Sequence, residues 1–124
     1  MASINKMSVM IIGASKKEER YSNKAMKLLR EHGYEVVLFH PKLREIEGQK
    51  VFNSLEDCPP VDTITVYVNP ITMGKMKEKV ANLQPKRMIF NPGTEDQELI
   101  AYFQNRGIQT VQACTLVMLK TGKF

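Results

Sequence analysis

The sequence predicts an α/β fold in which a parallel sheet is covered by helices on both faces. Three observations carry this. Apolar runs such as Val9-Met10-Ile11-Ile12 and Val36-Val37-Leu38-Phe39 are continuous rather than alternating, as strands buried on both faces must be. Segments with helical spacing of apolar residues separate these runs, so strands and helices alternate. Gly or Pro follows the strands, at Gly13, Pro41, Pro70 and Pro92. Right-handed crossovers then leave a single doubly wound, Rossmann-like sheet of five or six strands as the leading arrangement.

The first strand is Val9-Met10-Ile11-Ile12, ended by Gly13. After a polar loop, Ser22 is placed to cap a helix with the apolar stripe Ala25, Met26, Leu28 and Leu29, and Gly33 stops it. The second strand closes at His40-Pro41. Residues 42–60 are less regular, with a brief strand at Val51-Phe52 and a turn at Asp57-Cys58-Pro59-Pro60. Residues 63–68 are rich in β-branched side chains and form a strand ending at Asn69-Pro70. Met73, Met76, Val80 and Leu83 recur at helical spacing. Met88-Ile89-Phe90 is a strand ending at Asn91-Pro92-Gly93, and Thr94-Glu95-Asp96-Gln97 fits a capping box that opens a helix through Leu99, Ile100 and Phe103. Gly107 ends that helix, residues 108–111 form the last strand, and Cys114-Thr115 leads into a final apolar turn or helix at 116–119.

At 124 residues, 43% hydrophobic and 25% charged, the chain reads as one globular domain over residues 1–124, without linkers or repeats. No apolar run approaches the ~18 residues of a membrane span. Met1-Ala2-Ser3-Ile4-Asn5-Lys6 lacks the apolar core of a secretory signal, which predicts a cytoplasmic protein. Cys58 and Cys114 form no Cys-x-x-Cys pair and no His is spaced for zinc, so neither a metal nor a disulfide framework is expected. Eighteen Lys and Arg against thirteen Asp and Glu give a net charge of +5, compatible with nucleic acid or a phosphate-bearing small molecule.

In doubly wound sheets, ligands bind beyond the carboxyl ends of the strands, where strand order reverses. The exits here read Gly13-Ala14-Ser15-Lys16-Lys17, His40-Pro41-Lys42, Asn69-Pro70, Asn91-Pro92-Gly93-Thr94 and Ala113-Cys114-Thr115. The first keeps only the first Gly of G-x-G-x-x-G; Ser15 and Glu18 occupy the other two glycine positions. Ser15 offers a hydroxyl and an N–H, the helix start beyond adds partial positive charge, and Lys16, Lys17 and Arg20 add full charges. This suits phosphate, although Gly13-x-Ser15 alone also reads as a tight strand-to-helix turn. An NAD site wants an acid at the end of the second strand. Glu35 begins that strand, at the wrong edge, and Lys42 and Arg44 follow it. Cations there favour a ribose with an extra phosphate, as in NADP or coenzyme A; solvated loop charges are the alternative.

Val-Met-Ile-Ile-Gly13-Ala14-Ser15, then Gly33-Tyr34-Glu35-Val36-Val37 and Pro41-Lys42, resembles the CoA-binding protein family. These are small Rossmann proteins similar to the CoA-binding domain of the succinyl-CoA synthetase α-subunit. The resemblance runs on through Ile46-Glu47-Gly48, residues 51–55, Val61-Asp62, Gly93, Gly107-Ile108 and Cys114. It implies that Gly13, Ala14 and Ser15 cradle the phosphates of CoA, that His40, Pro41 and Lys42 sit by its adenosine, and that Asn69 and Pro70 line the groove. Lys16, Ser22, Met73, Asn91, Pro92, Gly93 and Cys114 complete the candidate set, although Met73 and Met76 also read as helix core. Many relatives have Asn-Pro in place of His40-Pro41, and the last motif often reads Cys-Pro where this chain has Cys114-Thr115.

No acid–base constellation stands out. His32 falls at a helix C-terminus, where a cation is favourable, and Glu95-Asp96 falls in a helix's first turn, where acids are expected. Cys114 precedes a helix start, a position that can lower a thiol pKa and permit exchange with the CoA thiol; a packing role is the alternative. The reading is therefore non-catalytic binding of coenzyme A or an acyl-CoA, as sensor, carrier or regulator. Two alternatives stay open: an NADP-binding module working with a partner enzyme, and a basic nucleic-acid binder. The second would use Lys16, Lys17, Arg20, Lys24, Lys27 and Arg30, but Glu18, Glu19 and Glu31 interrupt them and no stacking platform is evident. Residues 116–119 either pack on the sheet or make a homodimer contact.

Overall fold

The computed structural model describes residues 7–124, so the reading of the first six residues lies outside the described residues. In chain order the elements are β1 (Ser8–Ile12), α1 (Tyr21–Glu31), β2 (Glu35–Phe39), β3 (Glu45–Ile46), β4 (Gln49–Phe52), a short 3-10 turn (Leu55–Asp57), β5 (Thr63–Val66), α2 (Pro70–Asn82), β6 (Arg87–Phe90), α3 (Gln97–Gln104), β7 (Gln109–Gln112) and α4 (Thr115–Lys120). They form one sheet in the order β3-β4-β2-β1-β5-β6-β7. Its pairings are parallel except for β3 against β4.

The continuous apolar runs are explained by this arrangement. Successive strand residues point to opposite faces, and both faces are covered. Met10 and Ile12 pack with residues of α2 and α3, whereas Val9 and Ile11 pack with residues of α1 and α4. All four have no exposed surface. The final apolar segment is a helix that packs against α1. Among the described residues, no helix is long and apolar enough to cross a membrane.

Three expectations are corrected. The sheet has seven strands rather than five or six, because residues 45–52 fold as a hairpin with β3 antiparallel to β4. Its turn residues, Glu47 and Gly48, both have positive φ, at 49° and 79°. That is the backbone of a two-residue hairpin, but Glu-Gly is a weaker signal for it than Asn-Gly. Ser22 does not cap α1. Arg20 occupies the N-cap position without a side-chain bond, and Ser22 is buried inside the first turn. The capping box at Thr94 is also displaced: Asp96 caps α3, accepting from the Leu99 N–H at 3.0 Å. Thr94 is spent on the preceding turn, where its hydroxyl donates to the Asn91 carbonyl at 2.8 Å.

Candidate functional site

The chain runs outward from β1 through β2 to β4 and then returns to β5 on the other side of β1. Strand order therefore reverses between β1 and β5, where the exits diverge and leave a crevice. A groove of about 540 Å³ lies there. Gly13, Ala14 and Ser15 line it from the β1 exit, with Lys17, Arg20, Tyr21 and Ser22 from the loop and first turn of α1. Phe39, His40 and Pro41 come from β2, and Tyr67, Val68, Thr72 and Met76 from the β5 exit and α2. Pro92 and Thr94 close it from the β6 exit.

Gly13 is required for close approach. Its φ is +98°, and a Cβ there would meet the Tyr67 carbonyl carbon and oxygen at 3.0 Å and Val68 Cγ1 at 3.1 Å. The N–H groups of Gly13 and Ala14 both donate to the Phe39 carbonyl at 3.2 Å, which ties the β1 exit to the β2 exit. Both N–H groups are therefore spent within the fold. The Ser15 hydroxyl accepts from the Lys17 N–H at 3.1 Å, and the Ser15 carbonyl accepts from Asn23 Nδ2 at 2.9 Å. This pinned loop delivers Lys17, Arg20 and the start of α1 to one side of the groove. Glu18 is drawn away by Lys27, 2.9 Å from it, whose hydrogen bond and charge hold the Glu18 carboxyl below the usual range.

At the β2 exit, His40 Nδ1 accepts from the N–H groups of Lys42 at 3.0 Å and Leu43 at 3.1 Å. Asn53 Nδ2 braces the same turn by donating to the carbonyls of His40 at 2.7 Å and Leu43 at 2.8 Å. Burial, and then the Lys42 charge, push the His40 pKa below its ordinary value.

The opposite wall is backed by a buried polar network. Asn91 Nδ2 donates to Thr65 Oγ1 at 2.7 Å and to the Val66 carbonyl at 2.9 Å, while its Oδ1 accepts from the Thr115 N–H at 2.9 Å. The Thr65 and Thr115 hydroxyls lie 2.8 Å apart. Tyr67 joins them. Its burial raises the phenol to about 12, against the lowering effect of hydrogen bonds with Thr115 and Thr65, and Cys114 adds to the rise. The Tyr67 ring is thus held neutral.

Of the sequence candidates, Gly13, Ala14, Ser15, Ser22, His40, Pro41 and Pro92 line the groove, and Lys16, Lys42, Asn69, Pro70, Met73, Asn91, Gly93 and Cys114 do not. Met73 is fully buried in the core; the helical phase puts Thr72 and Met76 on the groove side instead. Asn91 is buried and braces the wall from behind. Asn69 caps α2 through its Oδ1, which accepts from the Thr72 N–H at 2.8 Å, and Pro70 starts that helix. Gly93, at φ +91°, shapes the β6 turn, and its N–H donates to Glu95 at 2.7 Å. Cys114 is the half-buried N-cap position of α4. Lys16 and Lys42 flank the lining residues on exposed loops. Cys58 lies beside the 3-10 turn, where burial and Asp57 raise its thiol to about 11.

Sequence reasoning did not single out Tyr21, Phe39, Tyr67, Val68, Thr72, Met76 or Thr94 as site residues. Residues 63–68 read as one strand in the sequence, but β5 ends at Val66, and Tyr67 and Val68 both turn into the groove. Thr72 and Met76 carried a usable signal, since their spacing of four marks one helix face.

A CoA binding domain family model matches residues 7–120. The crystal structure of an uncharacterized protein is 38% identical, with 95% of this chain and 98% of that chain covered and a TM-score of 0.90. A hypothetical protein from Pyrococcus horikoshii OT3 is 28% identical over 93% of this chain and 82% of that one, with a TM-score of 0.87. The dinucleotide-forming acetyl-coenzyme A synthetase 1 of Ca. Korarchaeum cryptofilum shares the fold, at 17% identity and a TM-score of 0.75 over 88% of this chain and 26% of that longer chain. The family match runs from the first strand through the last helix, and the chain belongs to the CoA binding domain family.

Proposed function

We propose that this protein binds coenzyme A or an acyl-CoA in the groove between the β1 and β5 exits, and performs no chemistry on it. One observation carries the reading beyond family membership. The groove carries Lys17, Arg20 and the start of α1 on the β1–α1 side, and Val68, Met76 and Pro92 beside the neutral Tyr67, Thr72 and Thr94 on the side of the β5 and β6 exits. That division matches a ligand with a phosphate-rich head and a weakly polar arm. Helix starts and lysine or arginine side chains favour phosphates, and apolar walls favour the arm. Among the described residues the lining includes no carboxylate and no thiol, and His40 already commits Nδ1 to the backbone, which supports binding rather than turnover. A role as cytoplasmic sensor, carrier or regulator of a partner enzyme fits such a module.

Calorimetric titration with CoA, dephospho-CoA, NADP and NAD in parallel tests this. CoA is expected to bind, and removal of its 3′-phosphate to weaken binding through Lys42 and its neighbours. NADP binding without CoA binding overturns the proposal in favour of the NADP-module reading, which the cations after β2 also suit.

A further inference from the structure

His40 does a structural task in the turn after β2. A backbone N–H can only donate, so the two N–H groups at 3.0 and 3.1 Å fix Nδ1 as an acceptor. The ring proton of neutral His40 therefore sits on Nε2. The imidazole closes the turn that carries Pro41 into the groove wall and Lys42 beside it. We infer that neutral His40 is the positioning residue of this wall, and that protonation at Nδ1 expels the Lys42 and Leu43 N–H groups, loosens the turn and weakens ligand binding in acid. This rests on the proposed reading of the groove as a coenzyme A site.

The surroundings favour that outcome. An imidazolium has no lone pair left for either N–H and would set a donor against two donors. The charges around it do not compensate. Lys42 stands on its own loop, and Lys17 and Arg20 line the groove from the β1–α1 side. Tyr67, from the β5 exit, is neutral. From β4, Lys50 lies over the Phe52 ring at 4.7 Å, and Asn53 brings no charge. Burial further disfavours the charged ring. A bound phosphate acts in the opposite sense, since it attracts an imidazolium. The sign of the pH dependence therefore separates a ring that holds the turn from a ring that grips the ligand.

The chain has two histidines, and they are distinguishable. His32 Nδ1 lies 2.9 Å from the Leu28 carbonyl, which only accepts, so His32 carries its proton on Nδ1. Nitrogen NMR of the ligand-free protein is expected to show His40 with an unprotonated Nδ1 at neutral pH. The Lys42 and Leu43 amide signals should then shift in acid together with the His40 ring. CoA affinity at about pH 7.5 and about pH 5.5 is then measured for the wild type and for His40→Asn, whose side-chain oxygen accepts the same N–H groups without titrating. The wild type should lose affinity by up to about tenfold per pH unit below the His40 titration, and His40→Asn only what the phosphates of CoA themselves lose. Parallel losses in both proteins, a wild-type affinity that rises in acid, or amides that ignore the ring would each overturn the inference. CoA that binds neither protein at either pH, with the amides still tracking the ring, would remove the coenzyme A reading and uphold the His40 turn.

Discussion

The two walls of the groove are built differently. The wall from β5, β6 and α4 is held by a buried network in which Asn91 alone bonds Thr65, Val66 and Thr115. The wall from the β1–α1 loop and the β2 exit is held by exposed or half-exposed bonds at Ser15, His40 and Asn53, and it carries the cations. In such a network every lost partner leaves a buried polar group unsatisfied, which makes that wall stiff. The cations sit on the other wall, where the bracing bonds are more exposed to solvent. Buried bonding and surface charge are thus divided across one groove, with Gly13 the seam between them.

The largest effect is expected at that seam. Gly13→Ala forces a Cβ into the Tyr67 backbone at an unfavourable φ, and should cost about 2–5 kcal/mol by urea unfolding. Gly48→Ala, at φ +79° but with open space around the site, isolates the conformational part and should cost about 1 kcal/mol. Next comes the stiff wall. Asn91→Ala strands the buried Thr115 N–H and takes one partner from the Thr65 hydroxyl and the Val66 carbonyl, and a loss of about 2–4 kcal/mol is expected. Arg20→Ala probes the other wall, and calorimetry should show CoA affinity reduced about tenfold with the unfolding midpoint little changed. If Asn91→Ala and Arg20→Ala moved stability and affinity equally, the division would fail.

A smaller effect comes from pH. His40 titrates below its ordinary value in the folded chain, so the unfolded chain binds more protons in the window between the two values. Stability from this group is complete above the ordinary histidine pKa and is lost as pH falls through the lower folded one. Thermal melts of wild type and His40→Asn should diverge progressively as pH falls through that window. The smallest effect is expected for Lys27→Ala, which frees Glu18 to approach the cations of the loop. Both groups are exposed, so melting should not change, while CoA affinity should fall less than in Arg20→Ala.

Much of this was legible from residue order. Continuous apolar runs announced strands buried on both faces, and Gly13, His40-Pro41 and Asn91-Pro92 marked their exits. The misplaced candidates share a cause. Met73 and Asn91 are adjacent in sequence to groove residues but point to the core, because one step along a helix or past a strand reverses direction. Local signals also compete. Thr94 has the chemistry of a cap but was claimed by the Asn91 turn, and Ser22 fell inside α1 when Arg20 took the cap position.

By itself the sequence determined the strand–helix alternation, the family, and the edge of the sheet at which the groove lies. Periodicity and turn chemistry are local, and local patterns are enough for those conclusions. Only the tertiary structure decided which side chains share the groove. It paired β1 with β5 across a gap of some fifty residues, set Gly13 against Tyr67, and turned the imidazole of His40 toward its own backbone. Those outcomes depend on distances between segments remote in the chain, and no spacing within a segment encodes them.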